Sequence, residues 1–550
     1  MSLYQFFRRK LLNYFPSLQP GHGTYRWWVL ANVMIGTFMA VLDSTIVDVS
    51  MPKIMATFGT SVDKITWIAT AYMLVFAVML PTSGWLADRF GYKRTYFAAL
   101  LLFTVGSLLC GTAWNENALI FFRVIQAVGG GLMMPVGMAV ITREFPPEQR
   151  GMALGFWSIA GAASVSFGPL IGGYLIDHLS WQSIFSVNVP VGCLGMLATL
   201  IIQREYKSDR VHAFDLVGFL SMAVFLSFLL VALADGNAAW NVGGWTSQFI
   251  LGCFALSAVG LIVFLATEFS VKNPLVDLGL LKDFNFSLAN VLLLTFGLGM
   301  FGSTFIQPLY LQNALGYTAL QSGAVFLPVG IIQAVMSPVS GVMADRLNPK
   351  IPMVLGVVLM GMSMYLNSFL SLFSERAQIM MPLILRGIGM GMLLTPLMSV
   401  SMVRIAKEKM AQASGLISIT RQVGGSFGVA MLGTVLIQRQ IFHTALIGQS
   451  VQTASPVFQH ALNGYTAFAR AVAGSPAYFY QAALQAKSML GSYIAKQAYV
   501  QAINDCYRVT AFLILAGIIP VLLFQIKTKK IVSGRGDHPE TDIKIKESVQ

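Results

Sequence analysis

Apolar stretches of about twenty residues, separated by short polar segments, follow one another along this chain from residue 27 to residue 526. A helix needs about 20 mostly apolar residues to cross the hydrocarbon core of a bilayer, so the pattern predicts about fourteen spans. Charged residues make up only 11% of the 550 residues, against about 25% in a soluble domain. The sequence therefore predicts an all-α membrane protein.

The basic residues are distributed unevenly among the segments between these stretches. If the N-terminus is cytoplasmic, most of the 36 Lys and Arg residues fall in segments on the inner side. This asymmetry predicts a multi-pass protein with both termini in the cytoplasm. We expect the membrane to be the bacterial inner membrane. The asymmetry also explains the net charge of +13 as a topology signal. The lipid bilayer is thus a predicted partner, and nucleic acid is not.

Two halves of the chain resemble each other. Three features recur at nearly one spacing: the segment 84–89 as 341–346, Ser166–Phe167–Gly168 as Ser426–Phe427–Gly428, and Arg123 as Arg386. Parallel repeats of this kind are typical of secondary transporters, in which the substrate path lies between the two repeats near the middle of the membrane. We therefore predict two six-helix halves plus two inserted helices, with a path between the halves.

The repeat and the apolar stretches together divide the chain into five segments. They are a cytoplasmic N-terminal segment (1–26), a first half (27–204), two linker helices (205–286), a second half (287–526) and a cytoplasmic tail (527–550). The second half contains a long outer segment, 438–506, which is rich in Ala, Gln and Tyr. A structureless loop of that length is uncommon. We expect it to be partly helical, either as a docking surface or as a cap on the outer face.

Asp43 is the first of the charges that lie inside a predicted span. We expect Pro52 to end this helix, which would place Asp43 about 13 Å inward from the outer end. A carboxylate at such a depth is a candidate for taking up a proton on one side and releasing it on the other. The alternative is a carboxylate that only fixes helix packing. Asp48, on another face near the rim, is a second proton-coupling candidate, although solvation or capping explains it better.

Arg123 lies about four residues into the fourth span. A buried guanidinium needs a carboxylate or several carbonyl groups as partners. Asp43 has a suitable depth, and protonation of Asp43 would break such a pair. The alternative is that Arg123 extends to the membrane surface and interacts with water there.

Three further charges belong to the second half. Arg386 and Arg421 lie inside spans and are expected to form structural pairs within that half. Asp505 precedes Arg508 by three residues at the start of the last span, so these two side chains are expected to pair with each other.

Glycine-rich strings indicate where helices approach one another closely. One string contains Gly168, Pro169, Gly172 and Gly173. Proline in a helix removes a backbone hydrogen bond and produces a kink. A kinked and closely packed helix at the interface between the halves would act as a seal.

The inner loop between the second and third spans is short and charged. A conformational latch is expected there and at its repeat, formed by Gly84, Asp88, Arg89, Gly91 and Arg94 and by Asp345 and Arg346. Charges at helix ends form contacts between neighbouring helices that break when the cytoplasmic side opens. A topology signal alone would explain the basic residues but not the repeated Gly-x-x-Ala-Asp-Arg.

Motifs for other activities are missing from the sequence. It has no GxxxxGK[ST] phosphate-binding loop, no HExxH and no GxSxG. The four cysteines form no spaced framework. We therefore predict neither an enzyme nor an ATP-driven pump, and no metal or cofactor; the proton gradient would be the source of energy.

Four segments resemble motifs of a known family: 42–52, 84–94, 121–130 and 164–173. They are similar to the first-helix, loop, fourth-helix arginine and fifth-helix motifs of the 14-helix drug:proton antiporters of the major facilitator superfamily. The two inserted spans and the long outer segment resemble the EmrB-like branch. Ser164 departs from this pattern, since Gly is usual there, and Asp48 stands where Asn is usual.

The resemblance implies a major facilitator fold and multidrug efflux coupled to proton entry. It assigns coupling to Asp43 and Arg123, the latch to Asp88 and Arg89, and the seal to the 168–173 glycines and proline. It also implies a periplasmic adaptor and an outer-membrane channel as partners. Two alternatives remain open at this point. One is a facilitator or exporter of one specific solute, such as a siderophore, fatty acid or bile salt, and the other is a membrane protein that transports nothing.

Overall fold

The computed structural model describes residues 19, 22–60, 62–146, 149–207, 213–238, 240–271, 274–406, 409–450, 456–473 and 479–525. All regular elements in these ranges are helices. The N-terminal residues 1–18 and the tail from residue 526 onward lie outside them. The five-segment division of the chain stays a prediction.

Long helices dominate the molecule, and we number those that form its body in chain order. They are α1 Tyr25–Phe58, α2 Val62–Phe90, α3 Tyr92–Gly111, α4 Glu116–Glu144, α5 Arg150–His178, α6 Asn188–Ile202, α7 Leu216–Asp235, α8 Gln248–Ser270, α9 Phe284–Leu309, α10 Leu327–Arg346, α11 Lys350–Asn367, α12 Arg376–Met402, α13 Met410–Ser450 and α14 Phe479–Ala516.

In the described ranges, 12 helical segments are long and apolar enough to cross a membrane. Helices α5 and α13 pack among them, α5 along α10 and α13 along α9. The count of about fourteen spans and the all-α membrane fold class are thus confirmed.

Helices from the two parts of the chain meet along two seams. Helix α5 packs along α10, and α2 packs along α13. Helices α7 and α8 pack on each other, and α7 also contacts α2 and α13. Many apolar side chains of α8 are exposed, for example Val259 and Ile262, as expected for a helix that faces lipid.

Two ends of the bundle differ in composition. We call the end that carries residue 91 and the segments 203–207, 213–215 and 347–349 the basic end, because Arg89, Arg94 and Arg346 are exposed there. The opposite end is called the extended end. There α13 continues to Ser450, α14 begins at Phe479, and a separate helix, Pro456–Ala473, packs on α14. The predicted outer segment 438–506 is therefore largely helical.

Helix α1 is longer than predicted. It continues through Pro52 and ends at Phe58, where Gly59 adopts a left-handed conformation with φ 62°. Proline removes a single backbone donor from a helix, whereas a left-handed glycine provides a regular helix end. The expectation that Pro52 ends this helix was wrong.

Candidate coupling and cargo site

A buried ion pair lies inside the first half. Asp43 of α1 and Arg123 of α4 are in contact, and their side chains are 0% and 1% exposed. Asp43 Oδ1 accepts hydrogen bonds from Gln126 Nε2 at 2.7 Å and from Asn188 Nδ2 at 3.2 Å. The structure therefore brings together the predicted pair, and Arg123 does not extend to the membrane surface.

Amides and a hydroxyl complete a closed network around this pair. Gln126 Oε1 accepts from Arg123 Nη1 at 2.7 Å. The side-chain nitrogens of Gln126 and Asn188 donate to Ser107 Oγ at 2.7 and 3.0 Å. Helices α1, α3, α4 and α6 are thus joined through one carboxylate, as is typical of buried polar groups that fix helix packing.

Sequence reasoning missed these three supporting residues. Gln126 follows Arg123 by three positions, so the two side chains share one face of α4, and that spacing could have identified it. Ser107 and Asn188 stand alone in apolar sequence. Only the packing of α3 and α6 against α1 and α4 brings them to Asp43.

The ring of Tyr72 packs against the guanidinium of Arg123. Its centroid lies 3.9 Å from Arg123 Cζ, within the range of a cation–π interaction. Tyr72 also lines the central cavity, and its hydroxyl has no hydrogen-bond partner within the described part of the chain. One side of the ring therefore contacts Arg123, and the residue also borders the cavity.

The central cavity lies between the two halves and has a volume of about 350 Å³. Helices α1, α2, α4 and α5 line it from the first half, and α9, α10, α12 and α13 from the second. Its walls are mostly apolar, with Trp157 held by a hydrogen bond from Nε1 to Thr37 Oγ1 at 2.8 Å. The apolar lining residues include Phe76, Met134, Leu154, Met300, Phe301, Phe326, Met390 and Met398. The shape and size suit one drug-sized amphipathic molecule.

Arg386 and Arg421 both line this cavity. Arg386 is 3% exposed, and its Nη2 donates to Met300 O at 3.3 Å and to Thr304 Oγ1. Arg421 makes no hydrogen bond or ion pair within the described residues. Neither arginine contacts a carboxylate there, so the expectation of structural pairs in the second half was wrong. Their helices turn them toward the space between the halves instead.

Asp505 lies at the extended end, away from the cavity. Its pairing with Arg508, predicted from their spacing, is confirmed at 3.1 Å. Asp505 also contacts Arg439 and accepts a hydrogen bond from His443 Nε2 at 2.8 Å. Sequence reasoning missed these two because it placed them in a loop, whereas the extension of α13 carries them beside α14.

The glycines of α5 pack mainly within the first half. A Cβ on Gly168 would lie 2.9 Å from Thr45 Cβ, and one on Gly172 would lie 2.7 Å from Ile46 Cγ1, both on α1. Only Gly173 faces the second half, at 3.3 Å from Leu320. The side chain of Pro169 lies outside the described part. The predicted seal between the halves is therefore chiefly a close contact with α1, because these glycines lie on the α1-facing side of α5.

The predicted latch residues of the second repeat join the two halves directly. The backbone N–H of Met152, in the first turn of α5, donates to Asp345 Oδ2 at 3.1 Å. A Cβ on Gly341 would lie 2.7 Å from the carbonyl carbon of Gly151. A carboxylate at a helix N-terminus is favourable because it meets unpaired N–H groups and the positive end of the helix dipole.

The first repeat makes the corresponding contact on the other seam. A Cβ on Gly84 would lie 3.0 Å from the backbone nitrogen of Gln412, so α2 and α13 approach closely. Asp88 accepts from Tyr92 Oη at 3.4 Å within its own half. The bundle is thus closed at the basic end by one glycine contact from each repeat.

The loop of the first repeat is fixed by the segment after α6. Gly91 has φ 98°, a conformation that favours glycine. Glu205 accepts from the Lys93 N–H at 3.1 Å and pairs with Arg94 at 3.5 Å. Burial raises the pKa of Glu205, and the neighbouring basic groups act in the opposite direction. Arg94 therefore contacts its own half, while Arg89 and Arg346 are exposed.

Asp48 belongs to the described helix α1, but its side chain lies outside the described part of the chain. The candidate role of Asp48 in proton coupling therefore stays a prediction.

Comparison with known proteins adds a sequence relationship to this geometry. The sequence profile of the Major Facilitator Superfamily matches residues 33–429. The Uncharacterized MFS-type transporter YhcA of Bacillus subtilis is 30% identical over 92% of this chain and 94% of its own length. The Multidrug export protein EmrB of Escherichia coli is 29% identical over 88% of this chain and 93% of its own.

A solved structure has the same fold. The crystal structure of the human organic anion transporter MFSD10 (TETRAN) superposes with a TM-score of 0.57 at 12% sequence identity, covering 92% of this chain and 100% of that one. At this identity the likeness concerns the fold alone.

Proposed function

The chain belongs to the major facilitator superfamily, and from that premise we propose that it exports amphipathic small molecules in exchange for protons. We place the protein in the bacterial inner membrane with the basic end in the cytoplasm, following the distribution of Lys and Arg. The observation that carries the proposal is the buried pair of Asp43 and Arg123, whose guanidinium packs on Tyr72, a residue that lines the central cavity.

Asp43 is the proposed proton site. When a proton binds, the carboxylate loses its charge and Arg123 loses its only ionic partner among the described residues. Removing the charge of one partner from a buried ion pair costs about 3–5 kcal/mol. A proton that crosses a membrane potential of 100 mV releases about 2.3 kcal/mol. The two energies are comparable, so protonation is able to drive a rearrangement of α1 against α4.

Helix α5 is the proposed connection from this rearrangement to the rest of the molecule. Its Gly168 and Gly172 pack against Thr45 and Ile46 of α1. These two α1 residues follow Asp43 by two and three positions. Helix α5 also forms the seam with α10 that closes the basic end. A displacement of α1 would therefore move α5 and alter the contact with the second half, as alternating access requires.

Outer partners are part of the proposal. Helices α13 and α14 extend past the bundle and carry the helix Pro456–Ala473 between them. We place the docking surface for a periplasmic adaptor on this extension, with an outer-membrane channel beyond it. A relative of similar length carries the name Multidrug export protein EmrB, which supports export as the direction. The proton gradient serves as the energy source, with no cofactor.

Transport in liposomes tests the proposed exchange. The purified chain would be reconstituted with a pH-sensitive dye inside, and two chemically unrelated amphipathic drugs would be added under an imposed pH gradient. Drug-dependent proton flux with both drugs is the expected result. Drug movement without proton flux would contradict coupling, and flux with only one closely defined solute would contradict multidrug export.

Tyr72 should be sensitive to loss of its ring and insensitive to loss of its hydroxyl. Tyr72→Phe keeps the ring on Arg123 and removes a hydroxyl that has no partner in the described residues, so drug-dependent proton flux should stay within about two-fold of wild type. Tyr72→Leu removes a desolvated cation–π interaction worth about 2 kcal/mol, so the flux should fall about ten-fold or more. Equal fluxes in the two variants would contradict the role of the ring.

Asp345→Ala should weaken closure of the basic end. It removes the acceptor for the Met152 N–H at the start of α5, and loss of such a cap costs about 1 kcal/mol. The reporter is Ser158→Cys in the cavity wall, in a Cys193→Ala background, labelled in inside-out vesicles with a membrane-impermeant maleimide. Labelling should accelerate about five-fold.

The matched control for this variant is Asp283→Ala. Asp283 caps α9 and pairs with Arg404 at the same end, so this ion pair connects no helix of the first half. Its replacement should leave the labelling rate unchanged. Equal acceleration by the two substitutions would contradict a specific contact between the halves.

A further inference from the structure

We propose that the central cavity selects amphipathic cargo with an anionic group, and that Arg386 and Arg421 bind that group. This inference rests on the proposed function, because it names the class of cargo that the same cavity takes. Among the described residues that line the cavity there are two arginines and no Asp, Glu or Lys. A cationic cargo would meet two like charges, and an anionic cargo two opposite ones.

Arg386 has unused hydrogen-bonding capacity in a buried position. Its two hydrogen bonds, to Met300 O and Thr304 Oγ1, both come from Nη2. Its Nε is buried with no partner in the described part. A guanidinium carries five N–H donors in a planar fork, and that fork matches the geometry of a carboxylate or a sulfonate.

Arg421 provides a second cation on α13, the next helix along the chain. It lines the same cavity and makes no hydrogen bond or ion pair within the described residues. Arg421 is partly buried, and a charge removed from water without a counter-ion is unfavourable. Since the ion pair of the first half already uses Asp43 for Arg123, these two arginines have no carboxylate of the described chain to neutralise them. An anionic cargo would supply one.

The remainder of the wall fits the apolar body of such a cargo. Phe76, Trp157 and Phe326 present aromatic surface, and Met390 and Met398 of α12 add methionine side chains to the wall. Methionine side chains adapt to bodies of different shape. The site is therefore expected to be selective for the charge of the cargo and to accept hydrocarbon skeletons of different shape.

Anionic cargo changes the electrical balance of transport. An anion that leaves the cell carries negative charge outward, and a proton that enters carries positive charge inward. Both movements make the inside of the cell more positive. The membrane potential, negative inside, would favour both movements. Exchange of one monovalent cation for one proton moves no net charge across the membrane, so the membrane potential would not drive it. Selection of anions thus uses both parts of the proton-motive force.

Binding of three related probes in lipid nanodiscs tests the inference. Dansylglycine is anionic, dansylamide neutral and dansylcadaverine cationic at neutral pH, and all carry the same fluorescent ring system. Trp157 lines the cavity, so excitation of tryptophan with detection of dansyl emission reports occupancy. We expect dansylglycine to bind at least about ten-fold more tightly than dansylamide, and dansylcadaverine most weakly.

Arg386→Gln and Arg421→Gln should each weaken dansylglycine binding about ten-fold or more and leave dansylamide binding within about two-fold, because only the charge interaction is removed. Unchanged dansylamide binding also shows that the variants are folded. Arg404→Gln is the matched control, since Arg404 is an exposed partner of Asp283 outside the cavity. It should bind all three probes as wild type does.

The inference would be overturned if wild type bound the three probes equally, preferred the cation or did not bind the anion. It would also be overturned if the preference for the anion survived in both cavity variants. Binding needs no pH gradient, so the two proposals fail separately. Arginine-dependent anion binding without any cargo-driven proton flux would contradict only the exchange. Proton flux driven by dansylcadaverine and not by dansylglycine would contradict only the anion selectivity.

Discussion

Asp43→Asn is expected to abolish drug-dependent proton flux while leaving the protein folded. The amide keeps the size of the carboxylate and still offers an oxygen to Gln126 and Asn188, but it takes up no proton and does not neutralise Arg123. The lost ion pair corresponds to about 3–5 kcal/mol, so flux should fall by more than about 100-fold. The measurement is the rate of acidification inside liposomes after the drug is added.

The control is Asp283→Asn, which changes an exposed ion pair at the basic end. Asp283 caps α9, and Asn is an equally good cap, so flux should match wild type. Asp43→Glu is a second test, since it retains a carboxylate on α1 and should keep part of the flux. Wild-type flux in Asp43→Asn would move the proton site elsewhere, with Asp48 as the next position to examine.

Gly341→Val should prevent the basic end from closing. A single Cβ at this position already meets the backbone of Gly151 and Met152, at 2.7 Å from a carbonyl carbon and 3.0 Å from a Cα. Backbone atoms cannot rotate away as a flexible side chain can, so α5 and α10 must separate. Overpacking of this kind costs about 1–3 kcal/mol, and we expect uphill drug transport to fall about ten- to 100-fold.

The same substitution at Gly252 is the matched control, because a Cβ there meets nothing within 4 Å. Gly252→Val should transport as wild type does. In Gly341→Val, the Ser158→Cys reporter should be labelled faster from the basic end than in wild type, in the same direction as in Asp345→Ala and to a greater extent. Slower labelling, or normal transport by Gly341→Val, would contradict the assignment of this contact to closure.

Much of this site could be predicted from the sequence because charge inside a membrane span is rare. Asp43 and Arg123 are conspicuous in apolar sequence, and their depths along α1 and α4 made contact between them a reasonable expectation. The repeated Gly-x-x-Ala-Asp-Arg likewise indicated a latch, and Asp345 does reach across to α5. These predictions depend on position along a single helix, which the sequence contains.

Predictions that depend on rotation about a helix axis were less successful. Gly168 and Gly172 were expected at the interface between the halves, but they face α1. Arg386 and Arg421 were expected to pair within the second half, but they face the cavity. Without strong periodicity the sequence does not specify which side of a buried helix faces which neighbour, because apolar residues surround the helix on all sides. Ser107 and Asn188 were missed for the same reason.

If cargo binding and protonation of Asp43 are linked, binding of cargo should release protons. The purified protein in weakly buffered detergent solution would receive a cargo that is fully ionised at the working pH, and the change in pH would be recorded. Linkage is reciprocal, so a cargo that binds best to the deprotonated form must release protons. We expect wild type to release protons and Asp43→Asn to release none. No release by wild type, or equal release by Asp43→Asn, would contradict the linkage.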